Sequence, residues 1–316
     1  MLAHTPRDGE RGQVLAIFGL SLVAIVTMTG LVIDGGSTFV QRRDMQNAAD
    51  AAAMAAGYAW ANTTSSTAAT AAAQAAAASN GYLNGVGGVV VNVTVNQLPA
   101  ATTLQVDVRK PHRNAFSGIV GLSSWDVSTS AKAVSGPPNV AVGVAPIIFN
   151  DDAVAPDTSD TPTTTWFTEP PPGNADIPLG LTQFNWTLYC TNNGANCNGD
   201  SNNIDELVVG TNESGSVVTI GDTSINPLNA GSHATLFSTM TSLIGECFAV
   251  GVVDDAGIFQ GVAMFCLTGS VGGATKSIGG YFTTTTSGGT GWQLRIDLAS
   301  SPSTSSFGNY VVYLID

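Results

Sequence analysis

The amino-acid sequence predicts a mixed α+β fold with three parts: an N-terminal transmembrane helix, a small membrane-proximal α+β domain and an all-β, sandwich-like extracytoplasmic domain. An uncharged apolar run lies near the N-terminus, alanine-rich and then alternating segments follow it, and short β-like runs separated by Gly, Asn and Pro fill the remainder. With 316 residues, 44% of them hydrophobic, the chain is long enough for two folded units. We expect a cytoplasmic stub over 1–13, the transmembrane helix over 14–33, an outward helical extension over 34–60, the α+β domain over 61–136 and the β-rich domain over 137–316.

Charge is sparse and unevenly distributed. Only 10% of the residues are charged, against about 25% in ordinary soluble domains. Residues 1–138 carry eight Lys or Arg and seven Asp or Glu, whereas residues 139–316 carry two and sixteen. The acidic second part would repel phosphate backbones, so we expect no nucleic-acid partner.

The apolar run from Val14 to Ile33 contains twenty residues without a charge. As a helix it spans roughly 30 Å, which is the thickness of a hydrocarbon core. A cleaved signal peptide is the alternative, but its apolar region is usually about 7–15 residues long and ends at a small-residue cleavage site. The sequence Ile33-Asp34-Gly35-Gly36 offers no such site, so an uncleaved anchor in the lipid bilayer is favoured.

The orientation of this anchor depends on the cysteines. Arginines flank the run on both sides, at positions 7 and 11 and again at 42 and 43, so charge leaves the orientation nearly undecided. All four cysteines follow residue 139, and their spacing matches no zinc or redox motif. This favours disulfides in an oxidising compartment. We therefore expect a single-pass protein of the cell membrane with a cytoplasmic N-terminus and extracytoplasmic C-terminal domains.

The segment after the anchor is rich in helix formers and predicts a helix that continues to about Trp60. A second alanine-rich run, Ala68 to Ala78, is helical by propensity, with a frayed connector as the alternative. Alternating patterns then predict strands, and Ser135 to Pro138 predicts a linker between domains. The predicted strands are Val89–Val95, Thr103–Val108 and Trp125–Val134, with a short helix over Asn114–Leu122.

Eight short runs in the second part predict strands of a β-sandwich or a related β-rich fold. They are Trp186–Tyr189, Glu206–Val209, Val217–Ile220, Cys247–Val253, Gly261–Leu267, Tyr281–Thr286, Trp292–Ile296 and Tyr310–Ile315. A hairpin centred on Ala256 and Gly257 would place Cys247 opposite Cys266, close enough for a disulfide. Cys190 and Cys197 bracket a turn-forming stretch and form the other expected pair, although four cysteines allow three connectivities.

An apolar helix, an Asp-Gly pair, a basic pair and an alanine-rich tract follow one another in the first third of the chain. The residues concerned are Arg11-Gly12-Gln13, the apolar run, Val32-Ile33-Asp34-Gly35-Gly36, Gln41 to Ala53 and Phe116-Ser117-Gly118-Ile119-Val120-Gly121-Leu122. In this order they resemble the N-terminal region of TadE/TadG-like proteins of bacterial tight-adherence (Flp) pilus systems. Beyond residue 139 the resemblance is looser and depends on Gly221-Asp222-Thr223, Leu243-Ile244-Gly245 and Phe265 to Gly280.

The resemblance implies a structural or assembly role in a pilus or related secretion apparatus, with other proteins of that apparatus as partners. Members cleaved by a prepilin peptidase usually carry Glu at the fifth position after the cleavage-site Gly, whereas here Ile17 stands five residues after Gly12. We therefore expect the helix to remain uncleaved. The alternative function is a surface-tethered module that binds glycan or protein through its β-rich domain, which exposed aromatics around Trp166, Trp186 or Trp292 would favour.

The sequence contains only weak matches to catalytic or metal-binding motifs. Asp126, Ser128 and Ser130 match the spacing of a metal-dependent adhesion site, but an exposed strand face gives the same spacing. The Asx-rich stretch from Asn192 to Glu206 could bind Ca²⁺ or form a solvated turn, and Asp254 with Asp255 is typical of a tight turn. Three histidines, His4, His112 and His233, accompany no nucleophile or zinc motif. We expect no catalytic residue, metal or cofactor, and no enzyme.

Overall fold

The computed structural model describes residues 10–142, 144–159, 161–170, 177–178, 180–189, 218–220, 225–227, 234–284, 293–298, 302–303 and 305–315. Its helices are α1 (Glu10–Thr63), α2 (Ser66–Ser79) and α3 (Ala234–Ser242). Its strands are β1 (Val90–Gln97), β2 (Thr102–Arg113), β3 (Ser124–Gly136), β4 (Val140–Val142), β5 (Ala145–Asn150), β6 (Thr165–Thr168), β7 (Phe184–Tyr189), β8 (Val218–Thr219), β9 (Ile225–Pro227), β10 (Cys247–Val253), β11 (Phe259–Val271), β12 (Ser277–Thr283), β13 (Gln293–Arg295) and β14 (Val311–Ile315). The fold is therefore mixed α+β, with a long apolar N-terminal helix that leads into an α+β unit and a second, largely β unit.

Helix α1 runs without interruption for 54 residues, through Gly35 and Gly36. Of residues 13–33, Gly30 alone is buried, and the large apolar side chains of this stretch are exposed. By length and composition this helix could cross a membrane. Its second half is different, because it enters the core of the first unit.

The core of the first unit consists of alanines packed on a valine-rich sheet. Met45 and five alanines of α1 are fully buried, as are Ala69, Ala73 and Ala77, which recur every four residues along one face of α2. The small side chains let the two helices approach closely. Both helices cover the inward-facing residues of β1, β2 and β3, among them Val91, Leu104 and Val106.

The C-terminal strand completes this first sheet. The order is β1-β2-β3-β14 with antiparallel pairing throughout, and Val311 pairs with Gly136. The sequence assigned this last strand to the β-rich domain and residues 135–138 to a linker. In the structure, Ser135 and Gly136 are the buried end of β3, so the second unit is inserted between two neighbouring strands of the first sheet.

The second unit is built on a seven-stranded sheet with the order β6-β12-β11-β10-β5-β7-β9, in which β5 and β10 are parallel. One face carries a phenylalanine-rich core covered by Leu236, Phe237 and Met240 of α3. The opposite face packs on the three-stranded sheet β13-β4-β8 through Ala141 and Leu294. The central strands are thus buried on both faces, and helix α3 lies within a unit predicted to contain only strands.

Candidate functional site at the junction of helix and sheet

Asp34 is a buried carboxylate at the end of the apolar run. It is 1% exposed and accepts hydrogen bonds from the backbone N–H groups of Ala115 (2.8 Å), Phe116 (3.0 Å) and Ser117 (2.6 Å). Ala115 and Phe116 precede the short 3-10 helix Ser117–Val120 and Ser117 begins it, so the carboxylate caps three consecutive N–H groups. These charge-assisted hydrogen bonds replace the hydration that the carboxylate loses on burial.

Polar side chains continue upward from Asp34 along the same face of α1, and each has a partner. The hydroxyl of Ser37 lies 3.0 Å from Nε2 of His112, whose Nδ1 lies 2.6 Å from the amide oxygen of Gln41. The amide nitrogen of Gln41 donates to the carbonyl of Lys110. This ladder joins the start of the buried half of α1 to the end of β2.

The loop from Asn114 to Ser123, which we call the junction loop, rests on Gly30. A Cβ atom on Gly30 would lie 2.5 Å from Cβ of Phe116, so only glycine admits this ring against the helix. Phe116 remains 40% exposed and Leu122 54% exposed. Between the loop and α1 lies a groove of about 430 Å³, lined by Leu22, Val23, Val26, Thr27, Leu31, Phe116, Ser117 and Leu122.

The uncharged outer surface of α1 is longer than the apolar run of the sequence. Asp34 interrupts that run, yet its carboxylate faces the junction loop and not the surroundings. Gly36 and Ser37 beyond it are exposed but uncharged, Phe39 (71% exposed) and Val40 are exposed and apolar, and charge first returns at Arg42 and Arg43. Between Gln13 and Val40, the exterior of α1 therefore presents no charge over roughly 42 Å.

The expected disulfides fall partly within the described residues. Cys247 lies opposite Cys266 in the β10–β11 pair, and a disulfide joins them. Phe248 pairs with Phe265 and Val250 with Ala263, which confirms the predicted register. Cys190 and Cys197 lie outside the described residues.

The other candidate residues have local structural roles. Asp126, Ser128 and Ser130 lie on the exposed face of β3, and Asp126 forms an ion pair with Arg109. Asp254 accepts hydrogen bonds from the N–H groups of Ala256 and Ile258, as the turn interpretation predicted. Among the described residues, no cluster of three or more His, Cys, Asp or Glu side chains could hold a metal ion. His4, His233 and the stretch 192–206 lie outside the described residues.

The aromatic residues proposed for recognition are not gathered at one surface. Trp186 is fully buried in the phenylalanine-rich core, and Trp292 lies outside the described residues. Trp166 is 48% exposed, and its ring lies over Gly269 and Gly279 of the large sheet.

No protein-family model matches this chain, and neither a curated protein nor a solved structure does. The junction itself was missed from the sequence. Asp34 and the run from Phe116 to Leu122 both belong to the segments that carry the family resemblance. No sequence periodicity connects them, because Asp34 and Phe116 are 82 residues apart. An acidic residue directly after an apolar run, followed by two glycines, is the only local signal that could have indicated a buried contact.

Proposed function

We propose that this chain is a single-pass membrane protein in which α1 leaves the bilayer and continues directly into the core of the first unit. The proposal is carried by one observation: a single helix whose first half is apolar and uncovered and whose second half is buried beneath a sheet. Such a helix holds the folded units at a fixed distance and angle from the membrane. The disulfide Cys247–Cys266 supports an oxidising compartment for the second unit, with the N-terminus in the cytoplasm.

Within that class, we propose a structural or assembly role in a tight-adherence (Flp-type) pilus or a related secretion apparatus. The support is the resemblance of residues 11–53 and 116–122 to TadE/TadG-like proteins. In the structure these segments build the junction: Asp34 caps the loop, Gln41 bridges to Lys110, and the buried alanines pack on α2. A rigid outward stalk suits a component that must hold partners at a set height above a membrane.

Membrane insertion and orientation are tested by fractionating cells and treating right-side-out and inverted vesicles with protease. We expect the chain to stay in the membrane fraction at high pH and the second unit to be cleaved only from the outer side. Release of the chain by alkaline carbonate would contradict the anchor.

The assembly role is tested by purifying the epitope-tagged chain from membranes in mild detergent and identifying co-purifying proteins by mass spectrometry. Recovery of pilus platform or pilin-like subunits supports the role. Recovery of the anchored chain alone would contradict it and favour the recognition module described next.

A second candidate function is a surface-tethered module that binds glycan or protein. Trp166 favours it, because an indole lying flat and half-exposed on a sheet resembles the platforms on which sugar rings stack. We expect Trp166→Ala to abolish glycan-array binding by the detergent-solubilised chain if this function holds, with Leu298→Ala, also exposed, as the control.

A further inference from the structure

We propose that the junction loop is itself embedded in the bilayer, where it packs beside α1 and its groove holds phospholipid acyl chains. The inference rests on the proposed membrane anchor and adds a second lipid-contacting element to it. The partner is the lipid leaflet on the side of the folded units.

The depth of the loop follows from its contact with α1. Phe116 rests on Gly30, three residues inside the apolar run as the sequence defines it, and the groove descends to Leu22. If the hydrocarbon core covers residues 14–33, Gly30 lies roughly 5 Å below its surface; if it is shifted to end at Val40, Gly30 lies roughly 15 Å below. In either position the tip of the loop is surrounded by acyl chains.

The backbone hydrogen bonds to Asp34 suit a lipid environment, although Oδ1 of Asn114 at the base of the loop is buried without a partner among the described residues. Backbone N–H groups without partners are costly in hydrocarbon, and here Asp34 satisfies three in succession. Deeper along the groove, the hydroxyl of Thr27 donates to the carbonyl of Val23. The hydroxyl of Thr29 donates to the carbonyl of Ile25 in the same way, so both threonine hydroxyls of the apolar run are satisfied within α1.

The loop carries apolar side chains where a water-facing turn would carry polar ones. Phe116 and Leu122 are exposed, and both line the groove beside Leu22, Val26 and Leu31. In water these side chains would leave a continuous apolar patch along the helix. Acyl chains can occupy the groove without any polar contact.

Positive charge lies at the level where headgroups would meet this arrangement. Arg42 and Arg43 are exposed on α1 just beyond Val40, and Arg113 is exposed where β2 passes into the junction loop. Lipid phosphates attract such basic residues within a Debye length of the surface. The apolar junction loop thus lies at the depth of the acyl chains, and the arginines lie at the depth of the headgroups of the same leaflet.

The test compares environment-sensitive labels at three leucine or valine positions in the full-length chain, reconstituted in nanodiscs of phosphatidylcholine and phosphatidylglycerol. Leu122→Cys reports the loop, Val23→Cys reports the anchor, and Leu98→Cys reports the far end of the same sheet. Leu98 is also exposed and directly follows β1. The pairing of the strands places it near the level of Gly57, which lies roughly 35 Å along α1 from Asp34. Each is labelled with a nitrobenzoxadiazole dye, with the unsubstituted chain as the background.

We expect doxyl groups on the acyl chains to quench the labels at Leu122 and Val23 at least twofold more than the label at Leu98. Iodide in the buffer should quench only the label at Leu98. A label at Leu122 that behaves like the one at Leu98, while Val23 remains lipid-exposed, would overturn the loop inference alone. Aqueous behaviour at both Val23 and Leu122 would overturn the anchor as well. Ser123→Cys, a conservative exposed change in the same loop, provides a second reporter judged by the same outcomes.

Discussion

At the scale of single residues, Asp34 determines how the helix and the loop meet. An ionised carboxylate with 1% exposure is stable only where charge-assisted hydrogen bonds replace its hydration, and three N–H groups do so here. The same contact hides the one charge that would otherwise interrupt the uncharged exterior between Gln13 and Val40. One residue thus fixes the loop and lengthens the lipid-compatible surface.

Asp34→Asn tests this contact directly. An amide keeps one acceptor oxygen but loses the second oxygen and the charge, so it cannot satisfy the three N–H groups as the carboxylate does. We expect Asp34→Asn to lower the denaturation midpoint in detergent at pH 7 by the equivalent of about 1–3 kcal/mol. Asp44→Asn, an exposed change on the same helix, should leave the midpoint unchanged. Equal midpoints for the two variants would contradict a structural role for Asp34.

Gly57 is the residue on which the contact between α1 and β14 depends. A Cβ atom there would overlap Cγ1 of Val312, while the hydroxyl of Ser135 donates to the Gly57 carbonyl at 2.9 Å. We expect Gly57→Ala to destabilise the first unit by about 1–3 kcal/mol, as overpacking does. Adding Val312→Ala should recover part of the loss in thermal unfolding, and Gly36→Ala, with open space around it, should be neutral or stabilising. Equal melting temperatures for Gly57→Ala and Gly36→Ala would contradict this packing.

At the scale of elements, the disulfide ties the two central strands of the large sheet. Cys247 and Cys266 are 19 residues apart, so the bond closes a short loop of the unfolded chain. Replacing both with Ala should cost about 2–4 kcal/mol, seen as a lower unfolding midpoint. Reductant should lower the midpoint of the parent chain at least as far, because it would also open the expected Cys190–Cys197 bond. A midpoint unchanged by both treatments would show that the hairpin is fixed by its packing alone.

Local patterns predicted the elements that have a single clear period or strong propensity. Helix α2 and strands β1 and β3 lie close to the expected ranges, strand β2 continues five residues beyond its expected end at Val108, and the β10–β11 pair was predicted to the register. Strand β5 was missed because it has no alternation: Ile147 and Phe149 face one core and Ile148 the other, and all are buried. The short helix α3 was missed because nine residues give too little periodicity to distinguish it from a buried strand.

At the scale of the whole molecule, the second unit is an insertion into the first sheet. The chain leaves that sheet after Gly136 and returns at Val311, and these two residues are paired neighbours. The units also touch at the point of insertion, where the hydroxyl of Tyr313 donates to the carbonyl of Ile296 and the side chain of Ile296 packs with Val134. The position of β14 depends on a pairing between the two ends of a long insertion, which no local pattern in the sequence could show.

This topology predicts that the first unit folds without the second. Two antiparallel strands whose ends are paired can be joined by a two-residue turn, so residues 137–310 should be replaceable by Asn-Gly between Gly136 and Val311. We expect that shortened chain to insert into membranes and to retain a protease-resistant sheet, at a modest loss of stability because the contact of Val134 with Ile296 disappears.

A matched chain that ends at Gly136 lacks β14, so Gly57 and the edge of β3 lose their cover, and we expect it to be degraded under the same protease. Equal resistance of the two shortened chains would show that β14 contributes little to the first sheet. Purification of the hairpin-closed chain from membranes then separates the partners of the two units. Proteins that remain bound must be held by the anchor and first sheet, while those lost depend on the inserted unit.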